Sequence, residues 1–181
     1  ETLMLFIERS DPSRLGIRIE NGEKNTVTNF KLNLLDLDEA VIEVPPAKFS
    51  SVISIPSSDF QKICRDMNNL SSLIEIKSLN SQLIFTCNGD FAQQETVMGE
   101  QSSSDAMCNS GSGISFVEKQ SEYAIIQGVF SLKHLVLFTK CTNLCNSIRM
   151  YLQNDYPLII SYMVGSLGEI KFCLAPKKIL K

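Results

Sequence analysis

The sequence predicts an α+β domain in which two helices cover one face of an antiparallel sheet. Segments of alternating apolar and polar residues, which are typical of strands, dominate its 181 residues. Only two segments carry apolar residues at helical spacing, and strand-like segments follow each of them. Because the two helices occupy similar places in two similar halves, we expect an internal duplication.

Three strand-like segments come first, and an irregular segment follows them. The strand-like segments read TLMLFIE, RLGIRIE and TVTNFKLNLL, and turn-forming residues flank the second. In residues 34–46, LLDLDEAVIEVPP, apolar and acidic side chains mix without the period of a strand or a helix, and two prolines end the run. This segment therefore fits neither a sheet nor a helix face.

After residue 47 we expect a strand, a helix, several strands, a second helix and three strands. FSSVISI reads as a strand ending at Pro56, and SLIEIKS and QLIFTCN alternate on either side of LNS as a hairpin. ISFVEKQ and YAIIQGVF form another pair, and SIRMYLQ, PLIISYMV and EIKFCLA are the last strands. Residues 99–113 are rich in Ser and Gly, and we expect a mobile loop there.

The first predicted helix is SSDFQKICRDMNNL. Ser58 and Gln61 have the spacing of a capping box at its start. Lys62 and Arg65 lie three apart on one side of the helix. The apolar residues recur at helical spacing and form the opposite face; they are Phe60, Ile63, Cys64, Met67 and Leu70.

The second predicted helix is SLKHLVLFTKCTNLC, with Ser131 as its cap. Leu132, Leu135, Phe138 and Thr139 lean to one side of it. Lys133 and Lys140 are seven apart, so they lie above one another on the opposite side. Its amphipathic character is imperfect, because Val136 and Leu137 flank the lysines.

Composition excludes some classes of protein. The chain is 44% hydrophobic and 20% charged, which is ordinary for a soluble globular protein. No apolar run approaches the ~20 residues that span a bilayer, so we expect no membrane partner. The six cysteines have apolar neighbours, and we expect reduced, buried thiols of an intracellular protein.

Motifs for catalysis or metal binding are weak in this sequence. There is no HExxH motif and no Gly-rich phosphate loop with its lysine. Cys141 and Cys145 are four apart, and His134 is the only histidine, whereas zinc needs about four ligands. A thiol or metal protein that uses these two cysteines is therefore a weak hypothesis, and we expect neither an enzyme nor a cofactor.

The cations on the two helices point to nucleic acid. If the helices lie side by side, four cations form one basic surface on a chain of net charge −3: Lys62, Arg65, Lys133 and Lys140. Long, flexible cations suit contact with a phosphate backbone without base readout. Helix exteriors carry lysine in many proteins, so spacing alone leaves a plain solvated face as the alternative.

Four segments of this sequence resemble the proliferating cell nuclear antigen (PCNA) family of sliding clamps. SSDFQKICRDMNNL and FSLKHLVLFTKCTNL are similar to the two pore helices of that family's C-terminal domain. LLDLDEAVIEVP resembles its interdomain connecting loop, and DYPLIISYMVGSLGEIKFCLAPKK resembles its closing strands with their LAPK signature. These segments occur in the family's order and cover most of residues 30–178.

The resemblance implies a DNA-clamp fold, with antiparallel sheets outside and two pore-facing helices in the C-terminal domain. By position, residues 1–33 would be the last strands of an incomplete N-terminal domain, residues 34–47 the connecting loop and residues 48–181 the C-terminal domain. We expect most of the N-terminal domain to be missing from this chain. Residues 9–25 and 99–113 are longer than the family's usual connections, which suggests a divergent clamp from a protist or a large DNA virus.

The function implied by the resemblance is that of a DNA sliding clamp. Three subunits would assemble head to tail into a ring that encircles duplex DNA and tethers DNA polymerase and other replication and repair proteins, without catalysis. A clamp loader would be a further partner, and the site of action would be the nucleus or, for a virus, a nuclear or cytoplasmic replication site. The alternative is a clamp-fold interaction module, a checkpoint-like or decoy paralogue, that does not encircle DNA.

The resemblance also implies roles for individual residues. Lys62, Arg65, Lys133 and Lys140 match the cationic pore positions. Phe30 lies in the strand at the subunit edge, and the matching edge of the neighbouring subunit includes Phe91. Partner proteins with a short hydrophobic-aromatic motif would dock between the connecting loop and the C-terminal segment. The pocket positions there are Ile42, Val44, Pro157, Cys173, Ala175 and Pro176, and Cys173 stands where an aromatic residue is common.

Overall fold

A computed structural model of the chain describes residues 1–36, 48–100, 113–119 and 125–177. The chain divides into two units, Glu1–Pro46 and Ala47–Lys181. The second unit begins close to the predicted start of the C-terminal domain at residue 48. That the first unit is the end of an N-terminal clamp domain stays a prediction.

The described residues of the first unit form an antiparallel sheet with the strand order β1-β2-β3. Its strands are β1 (Thr2–Glu8), β2 (Asp11–Asn21) and β3 (Thr26–Asn33), as the alternating pattern predicts. Gly16 lies opposite Phe6 in the register, and a Cβ atom at Gly16 would come within 2.5 Å of that ring. The absence of a side chain at Gly16 therefore lets the Phe6 ring lie across the neighbouring strand.

The described residues of the second unit form two antiparallel sheets, two α-helices and a 3₁₀ helix. Its strands are β4 (Ser51–Pro56), β5 (Leu73–Leu79), β6 (Gln82–Asn88), β7 (Gln93–Gly99), β8 (Ser115–Lys119), β9 (Ile126–Ser131), β10 (Ser147–Leu152), β11 (Leu158–Val164) and β12 (Gly168–Leu174). The helices are α1 (Ser57–Asn68), α2 (Leu132–Phe138) and the 3₁₀ helix (Thr139–Leu144). The predicted α+β class is confirmed, and the sheets are two, as the resemblance implies, instead of the single sheet that the local pattern indicated. ISFVEKQ and YAIIQGVF, which were predicted to pair, lie in different sheets as β8 and β9.

The two halves of this unit exchange their first strands, which means that the first strand of each half pairs with a strand of the other half. The five-stranded sheet has the order β12-β11-β10-β4-β8, and the four-stranded sheet has the order β7-β6-β5-β9. β4, which leads into α1, pairs with β10 through Pro56 and Ser147. β9, which leads into α2, pairs with β5 through Ser131 and Leu73. The register is the same in both cases, so the two halves share one structural plan, as the predicted duplication requires.

One continuous apolar core joins both sheets and both α-helices. Phe60, Cys64 and Met67 on α1 are fully buried, which confirms the predicted apolar face of this helix. The rings of Phe60 and Phe85 lie 6.4 Å apart, and Phe138 stacks on Phe172 at 4.6 Å. Aromatic and aliphatic side chains from both halves therefore share one core.

The predicted capping box of α1 is wrong. The helix begins at Ser57 directly after Pro56 and has no side-chain cap hydrogen bond. The Ser58 hydroxyl donates instead to the Asp59 carboxylate at 3.4 Å. The Gln61 side chain is engaged elsewhere, because its amide donates to the carbonyl oxygen of Thr139 at 2.9 Å.

The second predicted helix is α-helical only in its first half. The Thr139 hydroxyl donates to the Val136 carbonyl at 2.9 Å, and the Thr142 hydroxyl donates to the Thr139 carbonyl at 2.6 Å. Such bonds to the carbonyl three residues back accompany a tighter 3₁₀ turn. Ser131 occupies the cap position of α2 but makes no side-chain cap hydrogen bond.

The five described cysteines are free thiols. Cys64 and Cys87 are buried, Cys141 and Cys145 are partly buried, and Cys173 is exposed. The expectation of buried thiols is therefore wrong for Cys173, whose side chain points to the outer face of β12. Cys108 and residues 101–112 of the predicted loop lie outside the described residues. In the described part of the chain, no helix is long and apolar enough to cross a membrane.

Two buried groups that titrate at high pH predict how the stability of the fold changes in alkaline solution. Burial raises the pKa of the Cys64 thiol from 9.0 to about 12 and raises the pKa of the Tyr162 hydroxyl above its usual 10.0. Between the two pKa values of such a group, the unfolded chain loses a proton that the folded chain keeps, so the free energy of unfolding falls as pH rises.

We expect the free energy of unfolding of Tyr162→Phe to fall less steeply as pH rises, because one titrating group is removed. The difference in slope should be about 1.4 kcal/mol per pH unit above about pH 10. Urea unfolding of both proteins at a series of alkaline pH values measures the difference. Parallel stability profiles for the two proteins would contradict this explanation.

Candidate functional site

The two helical segments of the second unit lie side by side. Besides the bond from Gln61 to Thr139, the Ser57 hydroxyl at the start of α1 contacts two carbonyls near the end of the 3₁₀ helix. Its oxygen lies 2.6 Å from the Cys145 carbonyl and 3.2 Å from the Thr142 carbonyl. Side chains of α1 thus satisfy carbonyl groups that the end of a helix leaves without intrahelical partners.

All four predicted DNA-binding cations are exposed on these segments. Lys62 and Arg65 lie on α1, Lys133 lies on α2, and Lys140 lies on the 3₁₀ helix. None of the four forms an ion pair with an acidic group in the part of the chain that the structure describes. Their charges are therefore available to an anionic ligand, although their binding to DNA stays a prediction.

Lys133 also lines a polar groove of about 820 Å³ beside the end of α1. The groove lies between that helix end, β5 and the turn that joins β6 to β7. Its polar lining includes Asn68, Ser71, Glu75 and Asp90. Of the four cations, Lys133 is the one that contributes to this groove.

The structure describes four of the six predicted partner-binding residues. Pro157 is partly buried and directly precedes β11, whereas Cys173 is exposed on β12 opposite Ile159. Ala175 and Pro176 follow β12 in the chain. Ile42 and Val44 lie outside the described residues, so the structure does not show whether they approach the other four.

An aromatic cluster beside Pro157 was not predicted from the sequence. The ring of Phe49 lies 5.3 Å from that of Tyr151 and 5.7 Å from that of Tyr156, both in edge-on geometry. These residues come from three separate segments of the chain. The outward position of Tyr151 in the alternating strand SIRMYLQ was the one sequence signal for part of the cluster.

The two predicted subunit edges lie at the borders of their sheets. β3, which carries Phe30, is the last strand in the order β1-β2-β3, and β7 begins the order β7-β6-β5-β9. Phe30 is 48% exposed, and Phe91, two residues before the start of β7, is 78% exposed. A strand edge with exposed aromatic side chains can pair with another chain, but this contact between subunits stays a prediction.

No metal site accompanies these features in the described residues. Among them, no group of three or more His, Cys, Asp or Glu side chains could hold a metal ion. Cys141 and Cys145 are partly buried around the 3₁₀ helix, and the Cys145 thiol donates to the Ser147 carbonyl at 3.0 Å.

Comparison with protein families identifies the second unit. Residues 43–177 match the family model described as proliferating cell nuclear antigen, C-terminal domain. This chain belongs to the PCNA family. The match includes both helical segments, both sheets of the second unit and the aromatic cluster, and it confirms the resemblance that the sequence motifs indicated.

Curated relatives of this PCNA-family chain come from viruses and from a eukaryote. It is 34% identical over 180 residues to a probable DNA polymerase sliding clamp 1 of Paramecium bursaria Chlorella virus 1, covering 97% of this chain and 64% of the relative. It is 28% identical to a probable DNA polymerase sliding clamp of Acanthamoeba polyphaga mimivirus, covering 97% and 36%. It is 27% identical to the proliferating cell nuclear antigen of Chaetomium thermophilum, covering 98% and 66%. The chain thus spans less than two thirds of the length of each.

The Gln61 side chain is expected to hold the two helical segments of this PCNA-family domain together. We expect Gln61→Ala to lower the free energy of unfolding by about 1 kcal/mol, because the Thr139 carbonyl loses a hydrogen-bond donor. Urea denaturation at neutral pH measures the change. Asn68→Ala, an exposed amide on the same helix, is the matched control and should change stability little. Equal effects of the two substitutions would show that the Gln61 bond contributes nothing specific.

Proposed function

We propose that this chain is part of a DNA sliding clamp, a processivity factor that encircles duplex DNA and tethers a DNA polymerase. The observation that carries the proposal is the exposed set of cations on two adjacent helical segments of a PCNA-family domain. Lys62, Arg65, Lys133 and Lys140 make no ion pairs with acidic groups within the described residues. The names of the relatives, which include DNA polymerase sliding clamps, support the same function.

The chemistry of these four side chains suits sliding. Lysine and arginine contact phosphate groups through charge, and one phosphate can replace the next along the duplex with little change in energy. Contacts to base edges would instead favour particular sequences and stall the protein. The net charge of −3 disfavours DNA binding on the remaining surface.

The ring would form by head-to-tail pairing of strand edges. In this proposal β3 of one copy pairs with β7 of the next, and Phe30 and Phe91 add apolar contact at that interface. Three copies would close a homotrimer, as the family resemblance implies. Pairing of this kind covers sheet edges that otherwise promote aggregation.

The clamp would act as a scaffold without catalysis. Its partners would be DNA polymerase, other replication and repair proteins and a clamp loader. Those with a hydrophobic-aromatic motif would bind near Pro157, Cys173, Ala175 and Pro176, with Ile42 and Val44 on the connecting segment. The relatives come from viruses and a eukaryote, which supports a nuclear or viral replication site.

Reversal of charge on the helices tests the DNA contact. We expect Lys62→Glu with Arg65→Glu, or Lys133→Glu with Lys140→Glu, to weaken binding to a fluorescent duplex and to reduce the slope of log affinity against log salt by about 2, at roughly 0.9 per lost phosphate contact. Fluorescence anisotropy at several salt concentrations measures both quantities.

The control for this test is Lys24→Glu with Lys77→Glu, which changes the net charge equally at positions outside the helical segments. An equal loss of binding in the control would show that only net charge matters. Retention of the clamp on circular DNA, and its loss when the circle is cut, separates encirclement from simple binding. A protein that is never retained on circles would instead fit the clamp-fold interaction module.

Substitution at the edge of β3 tests self-association. We expect Phe30→Asp to lower the average sedimentation coefficient at concentrations where the unmodified chain associates, because a charge would replace the exposed ring in the β3–β7 contact. Asn29→Asp, which introduces the same acid on the opposite face of β3, is the control. Unchanged sedimentation of Phe30→Asp would exclude this edge as the interface.

A further inference from the structure

The outer face of the five-stranded sheet carries a cationic row next to the aromatic cluster. Arg149 on β10 lies opposite Ser161 on β11, and Ser161 lies opposite Lys171 on β12. The cationic row consists of Arg149 and Lys171, with Ser161 between them. Arg149 and Tyr151 are two residues apart on β10, so their side chains leave the same face of the sheet about 7 Å apart.

Glu169, the acidic residue next to Lys171 on β12, is already engaged by neighbouring side chains. The Glu169 carboxylate accepts a hydrogen bond from the Ser161 hydroxyl and forms an ion pair with the Lys171 ammonium at 2.9 Å. The Ser161 hydrogen bond and the Lys171 ammonium hold the pKa of the Glu169 carboxyl below its usual 4.5, and the nearby Arg149 acts in the same direction. Glu169 is therefore ionised at neutral pH and committed to these two partners.

Arg149 is the cation of this face that has no acidic partner among the described residues. Its side chain is exposed, and it forms no ion pair among the residues that the structure describes. A guanidinium group in this state presents a planar fork of N–H donors that matches the geometry of a carboxylate. The neighbouring aromatic cluster offers a partly buried apolar surface of the kind that receives an anchoring side chain.

The two halves of the unit share one arrangement of strands, but the combination of Arg149 and Tyr151 occurs in only one of them. The registers of the two halves make Glu75 the counterpart of Arg149 and Lys77 the counterpart of Tyr151 on the four-stranded sheet. The corresponding place on the other sheet thus has an acid and a lysine instead of a cation and an aromatic ring. Charge complementarity therefore selects different ligands at the two places.

We propose that the partner segment docking on the aromatic cluster carries an Asp or Glu two to four positions from its apolar anchor, and that Arg149 binds this carboxylate. The inference rests on the proposed partner-binding function and adds the chemistry of the partner and a specificity-determining residue. The spacing follows from the distance between Arg149 and Tyr151, which two residues of an extended peptide or one turn of a helix can span.

Two fluorescein-labelled peptides test the proposal. Both carry the same hydrophobic-aromatic motif, one with Asp and Glu beside the motif and the other with Asn and Gln at those positions. We expect the full 181-residue chain to bind the acidic peptide about fivefold more tightly at low salt, and the difference to shrink as salt rises. Fluorescence anisotropy measures both dissociation constants.

Variants of the chain assign the effect to Arg149. Arg149→Glu should remove the preference for the acidic peptide, and a third peptide with Lys beside the motif should bind this variant more tightly than it binds the unmodified chain. Lys77→Glu, the same change of charge on the other sheet, should keep the acidic preference. Circular dichroism and thermal unfolding check that each variant is folded.

The outcomes separate this inference from the proposed function. Equal binding of the acidic and neutral peptides, or an acidic preference that survives Arg149→Glu, would overturn the role of Arg149 and leave the clamp proposal intact. Failure of all three peptides to bind would overturn both the inference and the proposed docking surface. Encirclement of DNA would still be decided by retention on circular DNA.

Discussion

The exchange of first strands between the halves is the constraint on which the second unit depends. Each helix starts at the residue after an exchanged strand, so the pairings of Pro56 with Ser147 and of Ser131 with Leu73 fix where both helices begin. The two helical segments are therefore adjacent because the pairing of strands in the two sheets fixes where both of them start. The bond between Gln61 and Thr139 then joins surfaces that strand pairing has already brought together.

The sequence predicts those parts of the structure that depend on local periodicity. The alternation of the strands and the apolar face of α1, with Phe60, Cys64 and Met67, follow from spacing alone. The turn to a 3₁₀ helix could not be predicted in this way, because it involves the hydroxyls of Thr139 and Thr142 bonding to their own backbone. Two sheets were found instead of one because the pairing of strands depends on contacts distant in sequence.

The features of the candidate site also separate into those that local spacing predicts and those that depend on other information. The exposure of Lys62 and Arg65 follows from the amphipathic pattern of one helix, whereas the roles assigned to Pro157 and Cys173 came from resemblance. The cluster of Phe49 with Tyr151 and Tyr156 needs three segments and a register that no single stretch of sequence contains. Arg149 becomes notable only when its neighbours across the sheet are known.

The cations of the two surfaces differ in what a ligand would gain from them. On the helices, long side chains without ion pairs in the described residues offer interchangeable charge, which suits an anion that moves past them. On the outer sheet, Arg149 lies beside a fixed apolar contact, so an anion there has one preferred position relative to its neighbours. In these proposals, mobility on one surface and orientation on the other would come from the same kinds of residue in different surroundings.

The placement of β3 and β7 in different units has a geometric consequence. If copies of the chain join through these edges, every junction applies the same rotation from one copy to the next. Repetition closes a ring only when that rotation divides a full turn, and any other value generates an open helical filament.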